Sequence, residues 1–417
     1  MFEVYLYDAP IGTLTPRGNG VRFQYSAAAL ANEKLPALSL SLPKQGEPFP
    51  DSRAGPFFRN LLPEQAYRRL IANSARTAPE NSVALLGAIG GECPGAVSIW
   101  PAGTAPPSEP GYQALDERGL QALFAAGSGD ALANAVTRGR LSLPGAQDKI
   151  ALLRDAGGRW HLPLNGAVTS HILKPGAAAA GFPDLLENEL FCTELARRCG
   201  LLVPPTDLAA PGIRVFSSER FDRPVLRTPG RTARQKLHQE DFCQILAVEP
   251  ELKYETDGGP GLRKCARVIR EYSSLPADDL PRLIRWVGFN YFIGNEDAHA
   301  KNLALLYRPD GLRLTPHYDL VSTEVYADLE RRLAMKIGST WDVRKVQRSD
   351  WQSVARSIGL PWDRVRPLLL TLAARARAEG PATRAICLER FGPSPVYDRV
   401  GEAAERHAVQ LETALGR

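Results

Sequence analysis

The sequence predicts an α+β chain of two lobes, a β-rich N-terminal part and a mostly α-helical C-terminal part. Three observations predict it. Alternating apolar runs broken by glycines open the chain, at Val4–Tyr7 and Val21–Tyr25. A second set of alternating runs lies between Lys149 and Lys174. Beyond Gln239 the apolar residues recur at helical spacing.

The composition is that of an ordinary globular protein, with 44% apolar and 23% charged residues in 417. It excludes a mostly disordered chain, a collagen-like chain and a disulfide scaffold. The net charge is +5, without a concentrated basic run, which argues against a stand-alone nucleic-acid binder. Arginines outnumber lysines 41 to 10, so the position of each lysine is informative. Cys93, Cys192, Cys199, Cys243, Cys265 and Cys387 show no C-x-x-C spacing and no neighbouring His at ligand spacing. Buried thiols in a reducing compartment are expected, not a zinc site. Met1–Tyr5 lacks a basic n-region, and the apolar run Val83–Ile89 is too short to span a bilayer. These features together predict a cytoplasmic protein.

Taken in order, residues 1–100 form the first β-rich subdomain, punctuated at Gly12 and Gly18–Gly20. Residues 101–138 form a linker and helix: Pro101–Gly111 is rich in Pro and Gly, and Ala114–Ala135 has helical texture. Residues 139–238 hold three strands (Lys149–Arg154, Arg159–Leu164 and Thr169–Lys174), with a turn at Asp155–Gly158. A helix over Pro183–Cys199 follows, capped by Asp184 and stopped by Gly200. Residues 239–417 are helical. Leu280, Leu283, Ile284, Val287 and Tyr291 line one helix face, with Asp278 or Asp279 as cap and Gly294 as stop. Breaks are expected at Gly359-Leu360-Pro361, Gly380-Pro381 and Gly392-Pro393.

The sharpest string is Gly294-Asn295-Glu296-Asp297-Ala298-His299-Ala300-Lys301-Asn302. It contains D-x-x-x-x-N, the spacing of a kinase catalytic loop. There the Asp accepts the substrate hydroxyl proton, and the neutral Asn oxygen suits a hard cation. A hairpin follows, Leu303–Tyr307 and Leu312–Thr315 around Arg308–Gly311, and leads to Asp319, a second candidate magnesium ligand. The alternative makes Asp297 and Asp319 solvated turn residues.

Upstream, Ser142-Leu143-Pro144-Gly145-Ala146-Gln147-Asp148-Lys149 is a small-residue loop running into a strand. Such a loop brings backbone N–H groups close to phosphate oxygens, or is only a tight turn. Lys174 ends the third strand, where a kinase places its phosphate lysine. Its partner would be Glu189, with Glu187 as competitor; otherwise Lys174 is a solvated strand terminus and Glu189 an N-terminal helix charge favoured by the dipole. The order of loop, strand Lys, helix Glu, catalytic Asp, metal Asn and metal Asp is that of an ATP phosphotransferase with a protein-kinase-like fold.

Several strings resemble the HipA family, the serine/threonine-kinase toxins of bacterial toxin–antitoxin systems. In the first hundred residues these are Leu38–Pro43, Phe58–Glu64, Leu86–Gly90 and Gly95–Val97. In the middle they are Ser142–Lys149, His171–Lys174, Glu187–Glu189, Glu219–Arg223 and Gln239–Gln244. Later come Lys253–Glu255, Gly258–Gly261, Gly294–Asn302 and Tyr318–Ser322. The resemblance implies Asp297 as catalytic base and Asn302 and Asp319 as magnesium ligands. Leu143, Pro144, Gly145, Ala146, Gln147, Lys149 and Lys174 would hold the ATP phosphates, with His299 and Lys301 nearby. Glu219, Arg220 and Phe221 resemble the hinge that meets adenine through its backbone; Gln239 and Tyr318 would flank the nucleotide. Ser142 resembles a site of self-inhibitory autophosphorylation, or makes a local turn bond. Pro144 departs from the family pattern and removes one N–H from the phosphate loop.

The family also implies a HipB-like helix-turn-helix antitoxin as partner, and operator DNA reached mainly through it. The cofactors would be ATP and magnesium. The substrate would be a protein serine or threonine, for some members on an aminoacyl-tRNA synthetase, whose modification arrests growth. No membrane association is expected. Two other readings stay open: a catalytically silent co-repressor, and a lipid or small-molecule kinase.

Overall fold

The computed structural model describes residues 1–18, 20–109, 111–125, 129–176, 182–228 and 231–416. Its contacts divide the chain into two compact units. The first comprises Met1–Ala177, Ala209–Pro250 and Leu306–Arg308, and the second Ala178–Leu208, Glu251–Leu305 and Pro309–Arg417.

In the first unit, β1 (Phe2–Leu6), β2 (Ala9–Arg17), β3 (Gly20–Tyr25) and β4 (Val97–Pro101) form an antiparallel sheet in the order β3-β2-β1-β4. Along β3, Val21, Phe23 and Tyr25 are buried while Arg22 and Gln24 face solvent, the period of two that pleating dictates. The expected β character stops there. Short helices at Ala27–Ala31, Asp51–Arg59, Gln65–Ser74 and Ser82–Ile89 fill the interval. The sequence signals for them are Asn81, whose side chain accepts from the Ala84 N–H, and the i, i+4 pair Tyr67 and Ile71, both buried.

The Pro101–Gly111 stretch leads into a strand, β5 (Gly111–Leu115). The expected 114–135 helix is two helices, Glu117–Phe124 and Gly129–Gly139, the first capped by Asp116. Residues 19, 110 and 126–128, which fall within the Gly18–Gly20 turn, the Pro/Gly stretch and this helix, lie outside the described residues. The three expected strands appear as β6 (Ile150–Arg154), β7 (Trp160–Leu164) and β8 (His171–Pro175). The Asp155–Gly158 turn is closed by the Gly158 N–H on the Asp155 carbonyl at 3.0 Å. With β9 (Thr206–Ala210) and β10 (Ile213–Glu219), the sheet order is β5-β7-β6-β8-β10-β9. A hairpin follows, β11 (Val225–Thr228) with β12 (Arg231–Arg234), and then β13 (Gln239–Asp241). Val4, Phe23, Phe57 and Leu86 share one apolar core with Ile150, Leu152, Leu173 and Val215. One core therefore supports both the N-terminal sheet and the sheet that carries Lys174.

The second unit is helical. The Leu185–Arg198 helix is stopped by Gly200 at φ +85°, as expected. Asp184 stands at its N-cap in a left-handed conformation, and its side chain caps nothing there. The Pro276–Phe292 helix buries Leu280, Leu283, Ile284, Val287 and Tyr291. Pro276 occupies its first turn. Asp279 is buried instead of capping: it accepts from Ser273 Oγ at 2.7 Å, Leu314 N at 3.0 Å and Arg313 Nε at 3.1 Å. It thereby fixes the return strand of the hairpin formed by β14 (Ala304–Arg308) and β15 (Gly311–Leu314), which the Thr315 N–H to Ala304 O bond closes at 3.0 Å.

Helices Arg348–Ile358, Trp362–Phe391 and Val396–Leu415 complete this unit, broken at Gly359 and Gly392 as expected. The break expected at Gly380-Pro381 is absent; the helix runs through it for 30 residues. A mid-helix proline forfeits one hydrogen bond at a cost of roughly 3 kcal/mol. Burial of Leu369, Leu372, Ala373 and Ala376 before it, and of Thr383 and Cys387 after it, outweighs that loss. No disulfide joins the six buried cysteines. Among the described residues no helix is long and apolar enough to cross a membrane.

Candidate active site

In the second unit the Gly294–Asn302 string forms a tightly held loop after the Pro276–Phe292 helix. Gly294 has φ +60°, and a Cβ there would lie 2.4 Å from Glu324 Oε2, so only glycine fits the turn. Asn295 bridges two points: its Nδ2 donates to Asn290 Oδ1 at 2.8 Å, and its Oδ1 accepts the Asp297 N–H at 3.0 Å. Thr323 Oγ1 accepts the Glu296 N–H at 2.7 Å and donates to the Gly294 carbonyl at 3.0 Å. The backbone on both sides of Asp297 is therefore fixed, while about half of its carboxylate is exposed.

Tyr254 carries no sequence signal for a role here beyond its place in the Lys253-Tyr254-Glu255 string. Its hydroxyl donates to Asp297 Oδ1 at 2.6 Å, and its ring meets His299 edge-on at 5.4 Å. His299 Nε2 lies 3.9 Å from the same carboxylate oxygen. Burial pushes the His299 imidazole below its ordinary pKa, which favours the neutral ring. Glu296 Oε2 lies 3.4 Å from Thr323 Oγ1 and 3.9 Å from Arg331 NH1, and burial raises its carboxyl to about 7.

The fold brings Asn302 and Asp319 together. Asn302 Nδ2 donates to Asp319 Oδ2 at 3.1 Å, and Asn302 Oδ1 accepts the His299 N–H at 3.0 Å. Tyr318 OH donates to the Lys301 carbonyl at 2.8 Å, and the His317 N–H donates to the Leu202 carbonyl at 2.7 Å. These bonds anchor the Asp319 turn against the loop. A carboxylate beside an amide is a hard oxygen donor set, which fits magnesium better than a softer metal. Among the described residues no cluster of three or more His, Cys, Asp or Glu side chains offers another metal site. Glu187 and Glu189 are both buried on the Leu185–Arg198 helix of this unit.

In the first unit the Ser142–Lys149 loop is docked. Ser142 is fully buried; its Oγ donates to the Leu61 carbonyl at 2.7 Å and its N–H to the Glu92 carbonyl at 2.9 Å. The Glu64 N–H donates to the Gly145 carbonyl at 3.0 Å, and Lys149 Nζ to the Pro144 carbonyl at 2.9 Å. Gly145 takes φ +111°, a conformation open to glycine. Lys174 is almost fully buried on β8, opposite Phe216 of β10, whose ring lies 5.3 Å from its Nζ.

The Glu219–Phe221 segment follows β10. The Arg220 N–H donates to the Ser170 carbonyl at 2.9 Å, and its side chain is buried in ion pairs with Asp222 at 2.8 Å and Glu92 at 3.1 Å. The Arg220 guanidinium is thus committed to the protein interior. Gln239 Nε2 donates to Asp222 Oδ2 at 3.2 Å in the same network. No local pattern in the sequence marks Glu92 as a partner, because Arg220 and Arg223 lie 128 and 131 positions from it.

The likeness to known proteins extends over the whole chain. Residues 2–100 match the HipA N-terminal domain and residues 141–379 the HipA-like C-terminal domain. Y4mE of Sinorhizobium fredii, named as a kinase, is 39% identical over 367 residues, covering 85% of this chain and 86% of that protein. The serine/threonine-protein kinase toxin HipA of Shewanella oneidensis is 28% identical over 392 residues, covering 89% and 87%. The solved structure of HipA from Shewanella oneidensis, in complex with HipB and operator DNA, superposes with a TM-score of 0.80 at 24% identity. It covers 100% of this chain and 98% of that one, so the α+β fold is that of HipA. With both domain families matched in order and its relatives similar over most of their length, this chain belongs to the HipA family.

Proposed function

We propose that this protein is an ATP-dependent serine/threonine-protein kinase that acts as a HipA-like toxin. The observation that carries the reading is the second-unit group in which Asp297 stands on a fixed loop and Asn302 touches Asp319 at 3.1 Å. Asp297 orients the substrate hydroxyl and accepts its proton as the oxygen–phosphorus bond forms and the bond from the γ-phosphorus to the departing ADP breaks. Tyr254 holds one oxygen of that carboxylate, leaving the other to face the hydroxyl. Asn302 and Asp319 would hold magnesium, which neutralises charge on the phosphate oxygens. Lys174 and the Ser142–Lys149 loop would hold the ATP phosphates, with the Glu219–Phe221 segment and Gln239 on the adenine side. His299, Lys301 and Tyr318 would border the nucleotide.

Regulation belongs to the same reading. Phosphate on Ser142 would add nearly two negative charges at a site without solvent access, so the loop would have to leave its dock. A HipB-like antitoxin, with operator DNA reached through it, is the expected partner, in keeping with the complex formed by the Shewanella relative. The substrate would be a serine or threonine of a cellular protein, with an aminoacyl-tRNA synthetase as first candidate.

The test is Asp297→Gln. Transfer of labelled γ-phosphate to protein should fall by roughly 10²–10⁴-fold, while ATP affinity stays near the parent's. A variant with full transfer activity would remove Asp297 from the role of base.

A further inference from the structure

Glu92 lies between the Ser82–Ile89 helix and β4 and is fully buried. Its backbone and side chain hold two different segments of the first unit. The backbone N–H donates to the Arg140 carbonyl at 2.9 Å, and the carbonyl accepts the Ser142 N–H at 2.9 Å. That pairing fixes the chain where it enters the Ser142–Lys149 loop. The side-chain Oε1 accepts from Thr169 Oγ1 at 3.0 Å, Arg220 NH1 at 3.1 Å and Arg223 Nε at 2.9 Å. That cluster fixes the chain immediately around Phe221.

The remainder of the network closes on the same segment. Asp222 accepts from both guanidiniums and from the Gly95 N–H at 2.8 Å. The Cys93 carbonyl takes one further N–H from each arginine, at 3.1 and 2.8 Å. Lys236 Nζ stands 3.9 Å from Glu92 Oε2. Three cations thus surround two buried carboxylates. Without the Glu92 charge, Arg220 and Arg223 would face each other with only Asp222 between them. The guanidiniums hold Glu92 below the ordinary carboxylate range despite its burial, so it is ionised near neutral pH.

We infer that Glu92 is a positioning residue for nucleotide binding: its backbone seats the phosphate loop, and its carboxylate sets the hinge segment at a fixed distance from that loop. The inference rests on the nucleotide reading proposed above. It also gives the N-terminal subdomain a part in ATP recognition without touching ATP. The chemistry separates the two attachments, because Glu92→Gln removes the charge and leaves both backbone bonds in place.

The experiment measures binding of Mg-ATP and of magnesium tripolyphosphate to the full chain by calorimetry, together with the KM for ATP and kcat. Glu92→Gln should weaken ATP roughly tenfold or more while tripolyphosphate affinity stays within about twofold. KM should rise with kcat largely kept. Thr169→Val deletes one donor without changing charge and should give a smaller loss in the same direction. It carries the test if Glu92→Gln does not fold. Unchanged ATP affinity in the folded variants overturns the inference. Parallel loss of ATP and tripolyphosphate overturns it too, since it would mark a hub that serves only stability. A parent protein that binds neither ligand would overturn the nucleotide reading itself and the inference with it.

Discussion

Asn302 Nδ2 donates to Asp319 Oδ2 at 3.1 Å, across 17 positions of sequence and a hairpin. Asp319 holds that position with φ +59°, in the left-handed region that few residues besides glycine, asparagine and aspartate enter. Backbone strain of this kind persists only where the surroundings over-determine it, here through the bonds of His317 and Tyr318. Asp319→Asn tolerates the same φ and keeps the side-chain shape, so the fold should be retained. It removes the charge a divalent cation needs. The magnesium concentration for half-maximal phosphate transfer should rise by roughly tenfold or more. A titration indistinguishable from the parent's would exclude Asp319 as a ligand.

Ser142 is fully buried and donates to the Leu61 carbonyl at 2.7 Å. Ser142→Ala loses that bond, at a cost of about 1 kcal/mol, and leaves the carbonyl to be satisfied otherwise. On the regulation proposed above it should nevertheless stay active longer in Mg-ATP, because no phosphate can be placed at this position. Ser142→Asp places a charge where there is no solvent. It should release the loop, detected as faster proteolysis within residues 142–149. Mass spectrometry of the parent after incubation with Mg-ATP reads the modification directly, and absence of phosphate on Ser142 would refute the regulatory role.

Much of this was legible in the sequence. The Gly294–Asn302 loop, the hairpin after it and Asp319 are local in sequence, and each carries turn or spacing chemistry that survives folding. Strands β6, β7 and β8 were likewise legible, because alternation and the Asp155–Gly158 turn act over a few residues. What escaped was non-local or overridden. Glu92 and Asp222 meet Arg220 and Arg223 through tertiary burial, which leaves no periodic trace. Asp279, expected as a cap, was taken by Arg313 and the Leu314 N–H. Pro381 failed to break its helix because packing on both sides outweighed its local preference.

Gly95 shows how close the N-terminal segment comes to the Arg220–Asp222 network. Its φ is +74°, and a Cβ would lie 2.8 Å from both Gln239 N and His238 Nδ1. Its own N–H is held by Asp222 at 2.8 Å, so the backbone cannot retreat without losing that bond. Gly95→Ala therefore combines left-handed strain with a clash against main chain. A loss of roughly 2 kcal/mol or more in urea denaturation is expected. Gly18→Ala, also at positive φ but with nothing within 4 Å, should cost only about 1 kcal/mol. Equal losses at the two sites would show that the close approach contributes nothing.

Glu240 supplies a pH dependence whose direction follows from its surroundings. It is fully buried, accepts from Tyr307 OH at 2.5 Å and Leu40 N at 3.1 Å, and burial raises its carboxyl from 4.5 to about 7. Below pH 4.5 the group is protonated in both folded and unfolded chains, and it contributes no pH slope. Between 4.5 and about 7 the unfolded chain has released the proton that the folded chain still holds, so stability falls as pH rises. Above that window the loss is complete, about 3 kcal/mol at 1.36 kcal/mol per pH unit. Glu240→Gln keeps an acceptor for both donors and cannot ionise. Its stability relative to the parent should therefore increase from pH 5 to pH 8 and level off above, measured as the urea midpoint at each pH. A constant difference between the two proteins across that range would mean that Glu240 does not take up its proton on folding.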